Sequence, residues 1–140
     1  MLKNLIQILN TNRAIIKNDM RNFKNILNLN IDWCKYAKIN NKSYNKNCIY
    51  KDKDFEIVVI TWYKNQLTKL HNHPSNGCLM KVLLGSLKEK KVLNNKCIEI
   101  NNYNVNDISY IHDNFGKHKI YNNSNISVSI HIYSPPNFYN

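Results

Sequence analysis

His71 and His73 stand one residue apart at the head of the run His71-Asn72-His73-Pro74-Ser75-Asn76-Gly77-Cys78. Imidazole is the commonest side-chain metal ligand, and two rings on one rigid face can share an ion. Residues i and i+2 of a strand point the same way, so a strand over residues 69–73 would aim both rings together. The pair alone is weak evidence, because many such pairs are exposed or structural. A thiol, Cys78, follows five residues later, and the run after it closes on Gly85, which suits a turn. A third ring, His118, comes just after Gly116, a residue able to turn the chain into a new strand; His112 competes for the same role from the other side of that turn. Three neutral imidazoles leave coordination positions open for water, substrate or oxygen. The stretch Ile126–Tyr133 alternates strictly, which puts Ser127, Ser129, His131 and Tyr133 on one face. By the alternation alone that face points to water. It would line an interior only where the interior holds a site.

The elements that must carry these residues divide in two. Leu2, Leu5, Ile8 and Leu9 have helical spacing over residues 2–10, and Thr11 or Asn12 could cap a second helix through Ile15, Ile16, Met20, Phe23, Ile26 and Leu27. Asp32 could start a short third helix containing Trp33 and Tyr36. From residue 43 the texture becomes short β-branched segments. The candidate strands are Cys48–Tyr50, Glu56–Tyr63, Lys69–His73, Cys78–Leu84, Ser86–Lys91, Cys97–Asn101, Val105–Ile111, Gly116–Tyr121 and Ile126–Tyr133. Their regular spacing, with Asn, Asp, Gly or Pro between them, predicts a sandwich or barrel, and nothing alternates long helices with strands as a parallel sheet would.

The composition bounds the function. The chain has 140 residues, 43% hydrophobic, enough for one domain with a core of its own. No apolar run reaches spanning length, and residues 1–5 lack the features of a signal peptide, so a soluble, cytoplasmic protein with no membrane partner is expected. Cys34, Cys48, Cys78 and Cys97 have no Cys-x-x-Cys spacing, which argues against a zinc ribbon or a disulfide framework. The net charge of +11 would suit a nucleic-acid partner, but the lysines are scattered among asparagines without a dense basic arm, as an A/T-rich genome would leave them. No nucleic acid is expected.

Taken together, His71-x-His73, Cys78 and Gly85, then Gly116-x-His118-x3-Asn122, resemble the two cupin motifs. Cys78 stands where most cupins carry Glu, a substitution characteristic of the cysteine dioxygenases. Ser129-x-His131-x-Tyr133-Ser134-Pro135-Pro136 and Tyr110-Ile111-x-Asp113-x-x-Gly116 resemble that family's later segments. Trp33-x-x-Tyr36-Ala37-Lys38, Tyr44-Asn45-Lys46-Asn47 and Leu2-x-x-Leu5-Ile6-x-Ile8-Leu9 resemble its earlier ones. The resemblance implies a mainly β cupin fold, the double-stranded β-helix or jelly-roll barrel, as a single domain over 1–140, with a helical prefix over about 1–38 and the barrel over about 43–140.

It further implies one Fe(II) per chain held by His71, His73 and His118, with no organic cofactor, and oxidation of L-cysteine by O2 to cysteine sulfinic acid, as in cysteine catabolism. Cys78 and Tyr133 correspond to a pair that forms a thioether. His131 and Ser129 would orient the Tyr133 hydroxyl, and Trp62 and Thr68 match further barrel positions. Cys34, Cys48 and Cys97 match no reactive position and are expected to pack. The family holds the substrate carboxylate with an Arg two residues after a Tyr; here Lys46 follows Tyr44, giving a point charge instead of a bidentate fork. That departure keeps open another small thiol, such as 3-mercaptopropionate, and a non-catalytic metal-binding sensor is the rival from outside the enzymes. A monomer is expected, with self-association left open.

Overall fold

The computed structural model describes residues 2–23 and 32–137. Among them are helices α1 (Leu2–Thr11) and α2 (Arg13–Asn18), short 3-10 turns, and eight strands: β1 (Asn45–Lys51), β2 (Glu56–Trp62), β3 (Cys78–Leu84), β4 (Ser86–Leu93), β5 (Lys96–Asn104), β6 (Ile108–Ile111), β7 (Lys117–Asn122) and β8 (Ser127–Tyr133). One antiparallel sheet has the order β1-β2-β8-β3-β6, and a second has the order β5-β4-β7.

Two apolar clusters explain why the larger sheet is buried on both faces. Val58, Ile60, Trp62, Met80 and Val82 turn inward and meet Leu87 and Ile120 of the smaller sheet. Ile57, Val59, Leu79, Val128, Ile130 and Ile132 turn outward and meet Leu5, Leu9, Ile16 and Met20 of the helical prefix. Every residue of β2 and β8 is accordingly buried. This reverses the expectation drawn from the alternation of β8. Its apolar face is the one under the helices, and Ser127, Ser129, His131 and Tyr133 line the interior at 0–4% exposure. The helices are clamped down by Arg13, which donates to Asp52 at 2.8 Å and Asp54 at 2.6 Å in the β1–β2 turn. Leu9 is fully buried, so Leu9→Ala should destabilise the fold by about 3 kcal/mol through lost burial and a residual cavity. A urea midpoint equal to that of the parent would place the prefix outside the cooperative unit.

Several local expectations are corrected. Thr11 and Asn12 do not cap α2: Thr11 Oγ1 donates back to Gln7 O at 2.9 Å and Asn12 Nδ2 to Ile8 O at 2.8 Å, finishing α1 instead. The second helix stops at Asn18, a separate 3-10 turn carries Met20, and Ile26 and Leu27 lie outside the described residues. The third helix is only the 3-10 turn Cys34–Tyr36, preceded by Trp33 instead of a cap from Asp32. The strand expected from Val105 begins at Ile108, because Asn104–Asp107 form the β5–β6 turn with Asn106 at φ +75°. Cys34, Cys48 and Cys97 are exposed and do not pack in the core; only Cys78 is buried. Residues 69–73 make no regular strand. Their pairing to β7 is confined to an isolated bridge at His71, with another at Leu67.

Candidate metal centre

The segment between β2 and β3 is laced along β7. Thr68 N donates to Ile120 O at 2.8 Å, and Thr68 Oγ1 accepts from Ile120 N at 3.0 Å. His71 and His118 exchange backbone bonds at 3.1 and 3.3 Å. Pro74, with no N–H to give, ends this pairing, and a bond from Gly77 N to Pro74 O at 2.8 Å turns the chain toward β3. Gly77 sits at φ +91°, and a Cβ there would lie 2.5 Å from Ile111 O, so no other residue fits this entry to Cys78. The sequence-predicted pair therefore converges without a strand beneath it.

One ring nitrogen from each of His71, His73 and His118 lies within 4.8 Å of the others. His112 does not join them: its Nε2 donates to Ser75 O at 2.7 Å, and its Nδ1 accepts from Asn114 N. The backbone and side-chain partners fix which nitrogens face inward. His71 Nδ1 donates to Lys69 O at 2.8 Å and His118 Nδ1 to Glu89 Oε2 at 2.8 Å, which leaves Nε2 of either ring as the atom free to ligate. Those two Nε2 atoms stand 2.9 Å apart. An N–H of one ring bonding to the other, or one cation meeting both nitrogens, satisfies an approach that close. Burial, followed by the charge of His118, holds His71 at about 4 and His73 at about 2. Both rings are therefore neutral and able to ligate at neutral pH. The donor set fits a first-row divalent ion with positions left open.

A second group lies beside the first. Cys78 on β3 and Tyr133 on β8 are direct cross-strand partners, and their side chains hydrogen-bond. Tyr133 Oη is 3.1 Å from His131 Nδ1, His131 Nε2 is 2.8 Å from Ser129 Oγ, and Ser129 Oγ accepts from Trp62 Nε1 at 3.0 Å. Burial pushes the Cys78 thiol and the Tyr133 phenol up and His131 well down, so all three are uncharged at neutral pH. A cavity of about 440 Å³ opens between the two groups, with His71, His118 and Tyr133 on its wall. Tyr44 and Lys46 also line it: the Tyr44 ring packs on Trp62 at 4.9 Å, and Lys46 Nζ lies 5.7 Å from the Tyr44 ring centre. The structure thus brings all nine sequence-predicted site residues to one region.

One member escaped the sequence reading. Glu89 is fully buried in a lysine-rich strand, with Tyr103 Oη and Asn101 Nδ2 donating to its Oε1 at 2.8 and 3.1 Å. Burial raises its pKa, but the bonds from His118, Tyr103 and Asn101 outweigh that and leave it below the usual value. The available signal was that Leu87 and Glu89 share one strand face in Ser-Leu-Lys-Glu-Lys-Lys, which puts an acid where a core residue belongs.

Neutral buried histidines make the metal-free protein acid-sensitive. His73 and His131 have depressed pKa values in the folded state, so the unfolded chain binds more protons once pH falls below its own value of about 6.5. Stability is complete above that pH and is lost as pH falls through the window down to the folded values. The expected slope grows from about 1.4 kcal/mol per unit near pH 6.5 toward about 2.7 kcal/mol per unit near pH 5 for the two together. Urea unfolding at neutral pH and near pH 5 measures it, and equal stabilities would contradict the buried neutral rings.

Comparison with known proteins agrees with this architecture. The sequence profile described as "Cysteine dioxygenase type I" matches residues 1–139. Cysteine dioxygenase type 1 of Rattus norvegicus is 31% identical over 117 residues, covering 75% of this chain and 58% of that protein. The Danio rerio protein of the same name is 28% identical over 150 aligned positions, covering 94% and 75%. The chain thus spans little more than half the length of several curated relatives. The protein TT1209 from Thermus thermophilus superposes with a TM-score of 0.64 at 15% identity, covering 76% of this chain and 96% of that one. A Klebsiella pneumoniae protein with a double-stranded beta-helix domain gives 0.64 at 16%, covering 77% and 90%. These likenesses identify the barrel as a cupin, and the match across residues 1–139 makes the chain a member of the cysteine dioxygenase type I family.

Proposed function

We propose that this protein is a thiol dioxygenase that oxidises L-cysteine with O2 to cysteine sulfinic acid. The observation that carries the reading is the convergence of three imidazoles beside the Cys78–Tyr133–His131–Ser129 row, across one cavity that also holds Lys46. His71, His73 and His118 would hold iron, which when bound supplies a centre where a thiolate and O2 can exchange electrons. The balance is closed: sulfur gives up four electrons, both oxygen atoms enter the product, and no external reductant is consumed.

The chain's own residues do the rest. Among the described residues no carboxylate lines the cavity, whereas Lys46 offers a cation to the substrate carboxylate. Burial lowers the Lys46 pKa from 10.5, an effect that an incoming carboxylate opposes. Trp62 donates to Ser129, and Ser129 fixes His131. His131 then sets the Tyr133 hydroxyl, in one of two proton arrangements. If Ser129 donates to Nε2, Nδ1–H donates to the Tyr133 oxygen, and the phenol hydrogen can turn toward the substrate. If Nε2–H donates to Ser129, Tyr133 donates to Nδ1. Uncharged His131 allows either, so the row can hold a proton at Tyr133 and release it without building a buried charge. The cross-strand Cys78–Tyr133 pairing also supports a thioether, formed when Sγ bonds to the ring carbon beside the hydroxyl, with loss of one hydrogen from each partner to O2 as oxidant.

A second reading rests on Lys46. Lacking the fork that orients a carboxylate, the site could prefer an amine-free acid such as 3-mercaptopropionate. Oxygen uptake by iron-loaded protein with both thiols in parallel, with products identified by mass, tests both. Two oxygens gained on cysteine support the first reading, and preference for the mercapto acid supports the second. No uptake with either, with iron bound, overturns both and leaves a metal-binding sensor.

A further inference from the structure

We infer that Glu89 is a positioning residue for metal ligation by His118, and that strand β5 is the element that aims it. The inference rests on the three-histidine reading of the site. Glu89 is fully buried, and its two oxygens are divided between two tasks. Oε2 is 2.8 Å from His118 Nδ1, the nitrogen on the far side of the ring from the convergence point. Oε1 takes the β5 bonds, from Tyr103 Oη at 2.8 Å and Asn101 Nδ2 at 3.1 Å, with Lys91 Nζ farther off at 3.8 Å. The carboxylate plane is therefore set from one edge and used at the other.

The consequence for His118 is specific. A carboxylate oxygen 2.8 Å from Nδ1 accepts the hydrogen held there, which leaves Nε2, the atom that meets His71, as the one that can ligate. A free imidazole would divide between two tautomers and rotate about its χ angles. Holding one tautomer in one orientation lowers what binding must spend on order, and the negative partner makes Nε2 a more basic donor. His71 obtains the same tautomer from a backbone carbonyl, Lys69 O, which carries no full charge. These two ligands are therefore inequivalent, and His118 is the more electron-rich of the pair. β5 is an edge strand whose exposed Ile98 and Ile100 contribute little to the core. Tyr103 and Asn101, on its other face, tie it to the centre through Glu89.

The test is metal affinity, read by chelator competition with Fe(II) and with Co(II), together with the Co(II) absorption spectrum and the thermal midpoint of the metal-free protein. Loss of an outer partner of a ligating His typically weakens binding about 10- to 100-fold, and that is the loss expected for Glu89→Ala. Glu89→Gln can still accept from Nδ1–H through its amide oxygen, so the expectation is a several-fold loss with a shifted Co(II) spectrum and a metal-free midpoint at or above the parent's. Tyr103→Phe should fall between Glu89→Gln and the parent. If Glu89→Ala does not fold, Glu89→Gln and Tyr103→Phe decide. Variants that bind as tightly as the parent, with unchanged spectra, would reduce Glu89 to a packing role and overturn the inference while leaving the three-histidine site intact. A parent that binds neither metal would overturn that reading and the inference with it.

Discussion

His73→Ala is expected to reduce metal affinity by at least about a hundredfold, beyond the range for losing an outer partner, and to take thiol-dependent oxygen uptake to background. His73 is 2% exposed, its ring centroid lies 4.2 Å from that of His118 and 5.2 Å from that of His71, and it supplies one of three donor atoms. Two imidazoles cannot hold an open-sided ion as three do. The fold should survive, because the substitution removes a buried ring whose protonation the folded state already resists. The metal-free variant should in fact lose less stability than the parent as pH falls below about 6.5, since one of the proton-binding sites gained on unfolding is gone. His118→Ala separates ligation from packing. It should lose metal equally, but it also deprives the fully buried Glu89 carboxylate of one hydrogen-bond donor, a further cost of about 1–3 kcal/mol. Equilibrium metal binding and urea unfolding on both variants check the pair. Retention of parent-like affinity by His73→Ala would contradict the three-histidine centre.

Lys46→Ala is expected to raise KM for a thiol carboxylic acid about 10- to 100-fold, corresponding to the roughly 1.5–3 kcal/mol of a hydrogen bond to a charged group. The effect on kcat should be smaller, because the carboxylate lies away from the reacting sulfur and is held equally in ground and transition states. Lys46 lies in β1, two residues after Tyr44, and both line the cavity beside Trp62. A thiol amine without a carboxylate should be turned over equally by parent and variant, which makes it the internal control. Lys46→Arg should lower KM for the acid, since a planar fork can engage both carboxylate oxygens. Steady-state oxygen uptake across the three substrates measures this, and an unchanged KM in Lys46→Ala would remove Lys46 from substrate binding.

Much of this arrangement was legible in the chain because it is written in local terms. β3 occupies Cys78–Leu84, the expected segment, since an apolar run interrupted only by Lys81 has both ends marked by Gly77 and Gly85. The turn at Gly116 does deliver His118 into β7. The motif His71-x-His73 needed no strand to succeed: one bridge at His71 and the turn over Pro74 and Gly77 suffice to bring both rings to His118. The helix-cap expectations at Thr11 and Asn12 missed because either side chain can bond forward to an N–H or back to a carbonyl, and the backward bonds won. Packing of Cys34, Cys48 and Cys97 rested on residue type, whereas their elements lie at edges and turns.

The sequence by itself determined the ligand types, the alternation of the last strand and the order of the elements, because each is a property of neighbours along the chain. Which face of that strand looks inward was decided only when Leu5, Leu9, Ile16 and Met20 settled over Val128, Ile130 and Ile132. An alternating pattern is equally satisfied with either face covered, and the cover comes from more than a hundred residues away in sequence. The same holds for Glu89, which looks like one charge in a run of lysines until β4 pairs with β7 and brings it within reach of His118, 29 residues on. A buried acid at that distance is specified by tertiary pairing, because no local periodicity distinguishes a carboxylate facing water from one facing an imidazole.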